Sequence, residues 1–194
     1  MNPSDGLQGI YEQLENMKSL TKEQQRNLAS INPYYTKTFE QVKLQIDAKV
    51  AESKVKAGKR IREVPSVSEK KLFDAIMARY KGKVVMVDLW ATWCGPCRGA
   101  IASFEPRKNK FKDKDVVFVY ITNESSPESK WLEMVAGIEG EHYRLNRKQW
   151  DYICDYFGVD GIPSYVIVDR DGNARLRNDL RGAGMLEQEL SGML

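Results

Sequence analysis

Apolar residues fall into two regimes along this chain. Up to about residue 80 they recur at helical spacing. Leu7, Ile10, Tyr11, Leu14 and Met17 line one face behind Ser4 and Asp5, which suit helix caps. Thr21 followed by Gln24 predicts a capping box that opens a second helix. Asn32-Pro33 starts a third, whose stripe Tyr35, Phe39, Val42 and Ile46 runs out near Ala57-Gly58. A basic stretch containing Pro65 reads as a connection, and Ser68 to Tyr80 as a further helix burying Leu72, Phe73, Ile76 and Met77.

After Gly82 the period changes. Val84 to Trp90 is almost continuously apolar, as expected of a strand covered on both faces. A helix is predicted from Pro96 to Lys112, a second buried strand over Val116 to Thr122, and a helix over Ser129 to Ala136. Arg147 to Phe157 reads as helix and Ser164 to Asp169 as strand. Asp171-Gly172 then turns the chain into an edge strand from Ala174 to Arg177, before a last helix over Met185 to Leu194. The alternation predicts an α/β domain with a central sheet flanked by helices over residues 66–194, and a helical N-terminal extension over residues 1–65.

Composition narrows the function. The 42% hydrophobic content supports a packed core, and the net charge of +3 comes from mixed signs, which argues against a nucleic-acid surface. No run approaches the ~18 apolar residues of a membrane span, and the polar N-terminus lacks the layout of a secretory signal. Three cysteines are too few for a disulfide framework: two stand as Cys94-Gly-Pro-Cys97 and Cys154 stands alone.

The pair has a location as well as a spelling. A buried strand ends at Trp90, a short loop holds Trp93, and a helix begins at the cysteines. Cys94 therefore sits where unpaired amides and the helix dipole favour a thiolate. Pro96 fits the first helical turn, and Cys97, three residues on, brings its sulfur within reach of Cys94. Such a pair attacks a substrate disulfide through Cys94, forms a mixed disulfide, and resolves it through Cys97. The competing reading, half a zinc site, lacks a second close pair and would have to recruit Cys154 and His142.

At Trp90-Ala-Thr-Trp-Cys-Gly-Pro-Cys-Arg98 and Val159-Asp-Gly-Ile-Pro-Ser-Tyr-Val-Ile-Val-Asp169 the sequence closely resembles the thioredoxin superfamily, over roughly Ser68 to Leu194. The stretch Asn123 to Leu145 is similar to the insertion of the membrane-tethered bacterial TlpA/ResA type. The resemblance implies a thioredoxin-like fold and a thiol–disulfide oxidoreductase with Cys94 as exposed nucleophile and Cys97 as buried resolving thiol. It implies Asp88 as a buried acid accepting the Cys97 proton, or else merely bonding backbone, and a cis Pro163 that presents Ile162 to an extended substrate, or else an ordinary turn. Trp93, Gly95 and Pro96 would contact substrate. It further implies protein disulfides as substrates, an upstream dithiol donor, no cofactor beyond the cysteine pair, and an extracytoplasmic or periplasmic location. The Gly95-Pro96 pair favours the reductase direction.

The sequence departs from the family at Ala100, where TlpA/ResA proteins carry a glutamate, and in having its helix proline later, at Pro106. It also departs in the absence of a lysine from Val116 to Thr122, beside Asp88. Asp88 is therefore expected to be desolvated, with a raised pKa. Cys154, with Trp150, Ile153 and Phe157 at helical spacing, reads as core. His142 is expected on the surface or in a loop, and Arg98 either near the thiolate or in solvent. A thiol peroxidase would need Pro-x-x-x-Thr-x-x-Cys, which is missing. The alternative to an enzyme is a non-catalytic adaptor that binds through the N-terminal helices.

Overall fold

The computed structural model describes residue 13, residues 20–31 and residues 33–194. The expected helix around Leu7 to Met17 lies outside those residues, as do the side chains of Tyr35 and Phe39. Backbone contacts divide the chain into two compact units. One joins the described residues up to Lys59 with Pro127–Ala136; the other comprises Arg60–Ser126 and Gly137–Leu194.

The first unit is helical. Thr21 accepts the Gln24 amide at 3.2 Å and the Gln24 side chain accepts the Thr21 amide at 2.9 Å, so the capping box forms. It opens α1 (Lys22–Ile31), which is followed by α2 (Pro33–Gly58). Helix α5 (Glu128–Val135) belongs to this unit, and its Glu133 pairs with Lys49 of α2 and, at 2.7 Å, with Lys130. No helix among the described residues is long and apolar enough to cross a membrane.

The second unit is a five-stranded mixed sheet. Its strands are β1 (Val84–Leu89), β2 (Val116–Asn123), β3 (Glu141–Leu145), β4 (Ser164–Val168) and β5 (Ala174–Leu176), in the order β3-β2-β1-β4-β5. Strands β1, β2 and β3 are parallel, and β4 runs antiparallel to both β1 and β5. All six residues of β1 are buried, Asp88 among them, as its nearly continuous apolar run leads one to expect. Val85, Val87 and Leu89 point into the core formed with Leu72, Phe73 and Ile76 of α3 (Glu69–Met77) and Ile153 of α6 (Arg147–Phe157). Burial of such side chains is worth about 1.5–3 kcal/mol each. Met86 and Asp88 share the opposite face with Phe118 and Tyr120. There α4 (Gly95–Phe104) brings Phe104 to 5.7 Å from the Phe118 ring. Helix α7 (Ala183–Gly192) closes the chain.

The structure departs from the sequence reading in three places. The helix expected from Pro96 to Lys112 ends at Phe104 and continues as a 3-10 segment, Glu105–Phe111, because Pro106 has no amide to donate and its ring clashes with the preceding turn. Three residues per turn then align Glu105, Lys108 and Phe111 on one side, and Lys108 and Phe111 are buried. Strand β3, within the Asn123–Leu145 insertion, was not anticipated. The stretch taken as a plain connection lays Ile61 alongside it, with Arg62 N–H donating to the His142 carbonyl at 2.9 Å and His142 N–H to that of Arg60 at 2.8 Å.

Candidate active site

The parallel pairing of Leu89 with Ile121 brings the C-terminal ends of β1 and β2 side by side. The loops that leave them, residues 90–94 and 123–126, therefore meet at one edge of the sheet, where α/β folds commonly hold ligands. Cys94 is the N-cap of α4, with an extended backbone (φ −78°, ψ 101°), and its sulfur accepts the Cys97 amide at 3.2 Å. Gly95 and Pro96 form the exposed first turn. Cys94 and Cys97 are joined by a disulfide, with Cα atoms 5.3 Å apart. Cys94 retains 5% of its surface and Cys97 none, so only the first offers an approach to another molecule.

The Ile162–Pro163 peptide is cis, and the Ile162 carbonyl oxygen lies 3.8 Å from the Cys94 sulfur. Two side chains hold that loop. Ser164 Oγ donates to the Gly161 carbonyl at 2.6 Å, and Arg181 Nε donates to the Pro163 carbonyl at 3.0 Å. Across the disulfide, Trp93 is 63% exposed and its indole N–H donates to Ser125 Oγ at 3.0 Å. Ser126, fully buried, accepts the Thr92 amide at 3.0 Å and shares a hydrogen bond with the Thr122 hydroxyl at 2.8 Å. Neither serine carries a motif. Only the topology, which places 123–126 beside the cysteine loop, marks them.

Asp88 is 2% exposed, on the sheet face that α4 covers, and its Oδ1 has no hydrogen-bond partner among the described residues. Burial pushes its pKa up to about 8, against a smaller downward pull from Lys108. The raised pKa agrees with the sequence reading, and the neighbouring strand carries no lysine, as that reading has it; the charge that pulls the other way, Lys108, comes from the 3-10 segment.

His142 is a clear correction. It is fully buried in β3, stacked on Tyr120 with ring centroids 5.0 Å apart, and its Nε2 lies 3.1 Å from the Ile138 carbonyl. That contact identifies Nε2 as the protonated nitrogen, and burial depresses its pKa to about 3. Arg98 is exposed. Cys154 is half-buried, not core, and burial together with Asp151 and Asp155 lifts its thiol to about 11. Trp90 is core.

A dithiol–disulfide pair at a helix N-terminus, facing a cis-proline loop on a mixed five-stranded sheet, defines the thioredoxin-like class of fold. Residues 82–174 match the family model described as thioredoxin-like. The thioredoxin-like protein YneN of Bacillus subtilis is 39% identical over 92 residues, 47% of this chain and 54% of its own. A thioredoxin of Coprinus comatus is 42% identical over 40 residues, 21% of this chain and 38% of its own. The chain spans about half or less of the length of these two relatives. Among solved structures, the thioredoxin domain of a thiol-disulfide oxidoreductase from Bacteroides vulgatus superposes with a TM-score of 0.53 at 22% identity, covering 61% of this chain and 84% of the other.

Proposed function

We propose that the protein is a thiol–disulfide oxidoreductase that reduces disulfides of protein substrates through Cys94 and Cys97. The carrying observation is the Cys94–Cys97 disulfide itself, closed at the N-cap of α4 and 3.8 Å from the cis-proline loop. In the reduced protein, the Cys97 amide that now points at Cys94 Sγ donates to a thiolate, and the helix dipole lowers the thiol's pKa further. Cys94 attacks one sulfur of the substrate disulfide, and the other leaves as a thiolate. Cys97 then gives up its proton to Asp88 and attacks Cys94, which restores the disulfide and frees the second substrate sulfur. The two electrons come from an upstream dithiol that reduces Cys94–Cys97 again. This chemistry uses the two sulfurs alone, without a cofactor.

Substrate backbone would pair with Ile162 as an added strand, against exposed Trp93 and the Gly95-Pro96 turn. An extracytoplasmic setting belongs to the same reading and rests on the TlpA/ResA resemblance. The test is reduction of a protein disulfide with a dithiol donor, followed by trapping with Cys97→Ser. Substrates covalently joined to Cys94 are expected. Full function in Cys94→Ser would favour the adaptor reading instead.

A further inference from the structure

Helix α2 carries apolar residues on two opposite faces. On one, Ser53 and Ala57 are buried and Val42, Ile46 and Val50 half-buried, where the helix packs on α1 and α5 of the same unit. On the other lie Leu44, Ala48, Ala51 and Val55. At 3.6 residues per turn their spacing makes one stripe along the helix, about 180° round from the buried face. All four are exposed, Leu44 to 69% and Val55 to 80%. A lone exposed leucine or valine is ordinary, but a repeat at this spacing is the seam of a helix pair. The two alanines between the larger residues leave a shallow waist, into which a second helix can come close.

The residues that flank the stripe become complementary when the helix is turned end for end. Asp47 and Lys54 border one side, Gln45 and Glu52 the other. Glu52 pairs with Lys56 at 2.6 Å, whereas Asp47 and Lys54 have no ion-pair partner among the described residues. Against a reversed second copy, Leu44 meets Val55 of that copy and Ala48 meets its Ala51. Asp47 then lies beside Lys54 of the second copy, and Gln45 beside its Glu52. Two-fold symmetry repeats each contact, so one surface satisfies itself. A parallel pair would instead set Asp47 beside Glu52 of the second copy, like charge against like.

We propose that the exposed stripe of α2 is a homodimer interface, in which two copies of the chain pair antiparallel through Leu44, Ala48, Ala51 and Val55. The occupant is a second copy because the flanking charges suit that copy, and in one orientation only. A single helix pair is small beside the ~1,000 Å² of a firm protein interface, so the association is reversible and depends on concentration. It involves neither Cys94 nor Cys97, and it stands or falls apart from the redox reading.

Sedimentation equilibrium of the full chain, from micromolar to millimolar concentration, reads the association. Wild type is expected to pass reversibly from monomer to dimer. Asp47→Lys alone sets lysine against lysine at both symmetry-related positions, and Lys54→Asp alone sets aspartate against aspartate. Each should weaken the dimer by about tenfold or more, whereas the double swap restores both pairs and should return to within about threefold of wild type. Val55→Lys should leave only monomer. These positions are exposed, so the variants keep the fold, which circular dichroism of each verifies; the wild-type measurement needs no variant. A wild type that stays monomeric throughout overturns the proposal, and that is the result if the stripe serves an earlier segment of this chain or a different protein. A dimer untouched by Val55→Lys, or a double swap no tighter than the single changes, overturns it as well.

Discussion

Asp88 and His142 should impose opposite pH dependences on stability, and removing either unmasks the other. Asp88 titrates near 8 in the folded protein and near 3.8 as a free side chain. Between those values the unfolded chain has lost a proton that the folded one keeps, so stability falls as pH rises, by about 1.4 kcal/mol per unit. His142 titrates near 3 when folded and near 6.5 when free. Between those values the unfolded chain binds a proton that the folded one does not, so stability rises with pH by about the same slope. From pH 4 to 6.5 the two contributions cancel. Above 6.5 only Asp88 acts, and it removes about 2 kcal/mol by pH 8. Denaturant unfolding of the oxidised protein at pH 4.5, 6, 6.5 and 8 reads this. Relative to wild type, Asp88→Asn should gain about 2 kcal/mol more at pH 6 than at pH 4.5, and again more at pH 8 than at 6.5. His142→Gln should lose by a similar margin over the lower interval. Parallel pH profiles for wild type and Asp88→Asn would refute the assignment of a buried, proton-retaining carboxyl.

Other consequences are local. Ser126→Ala removes the buried acceptor of the Thr92 amide and the partner of the Thr122 hydroxyl, and should cost about 1–3 kcal/mol by denaturant unfolding; an unchanged midpoint would contradict the network. Ser125→Ala frees the Trp93 indole at the surface, so it should raise KM for a protein disulfide severalfold with kcat nearly constant; loss in kcat alone would argue against a docking role. Gly140→Ala should destabilise by about 2 kcal/mol or more, from a positive φ and a Cβ against backbone; thermal melting at the wild-type temperature would refute the close approach. Cys154→Ser should leave disulfide reduction unchanged, since its thiol is held protonated at neutral pH; a slower rate would give it a redox part.

Much of this architecture is written in local pattern. The apolar run of β1, interrupted by Asp88 alone, fits a strand buried on both faces, and Thr21 with Gln24 forms the capping box that opens α1. The cysteine pair was legible because strand, loop and helix start fall in that order around it. What escaped local reading depends on contacts across the sheet. Strand β3 is a short edge strand, Glu-His-Tyr-Arg-Leu, whose polar letters conceal its burial, and His142 looks like a surface residue until Tyr120 is placed beside it. Lys108 was hidden by a change of period. On an α-helix running to Lys112 it would be one of several solvated lysines, whereas the 3-10 turn after Pro106 aligns it with Phe111 and carries it inward.

Thiol reactivity at the helix start tests the account most directly. The reduced protein should be alkylated at neutral pH first at Cys94, at a rate well above that of a free cysteine thiol, while Cys97 and Cys154 stay protected; a mild oxidant should then close Cys94–Cys97 reversibly. If Cys94 alkylates no faster than free cysteine, or the pair does not cycle between dithiol and disulfide, the chain is not the oxidoreductase its geometry describes.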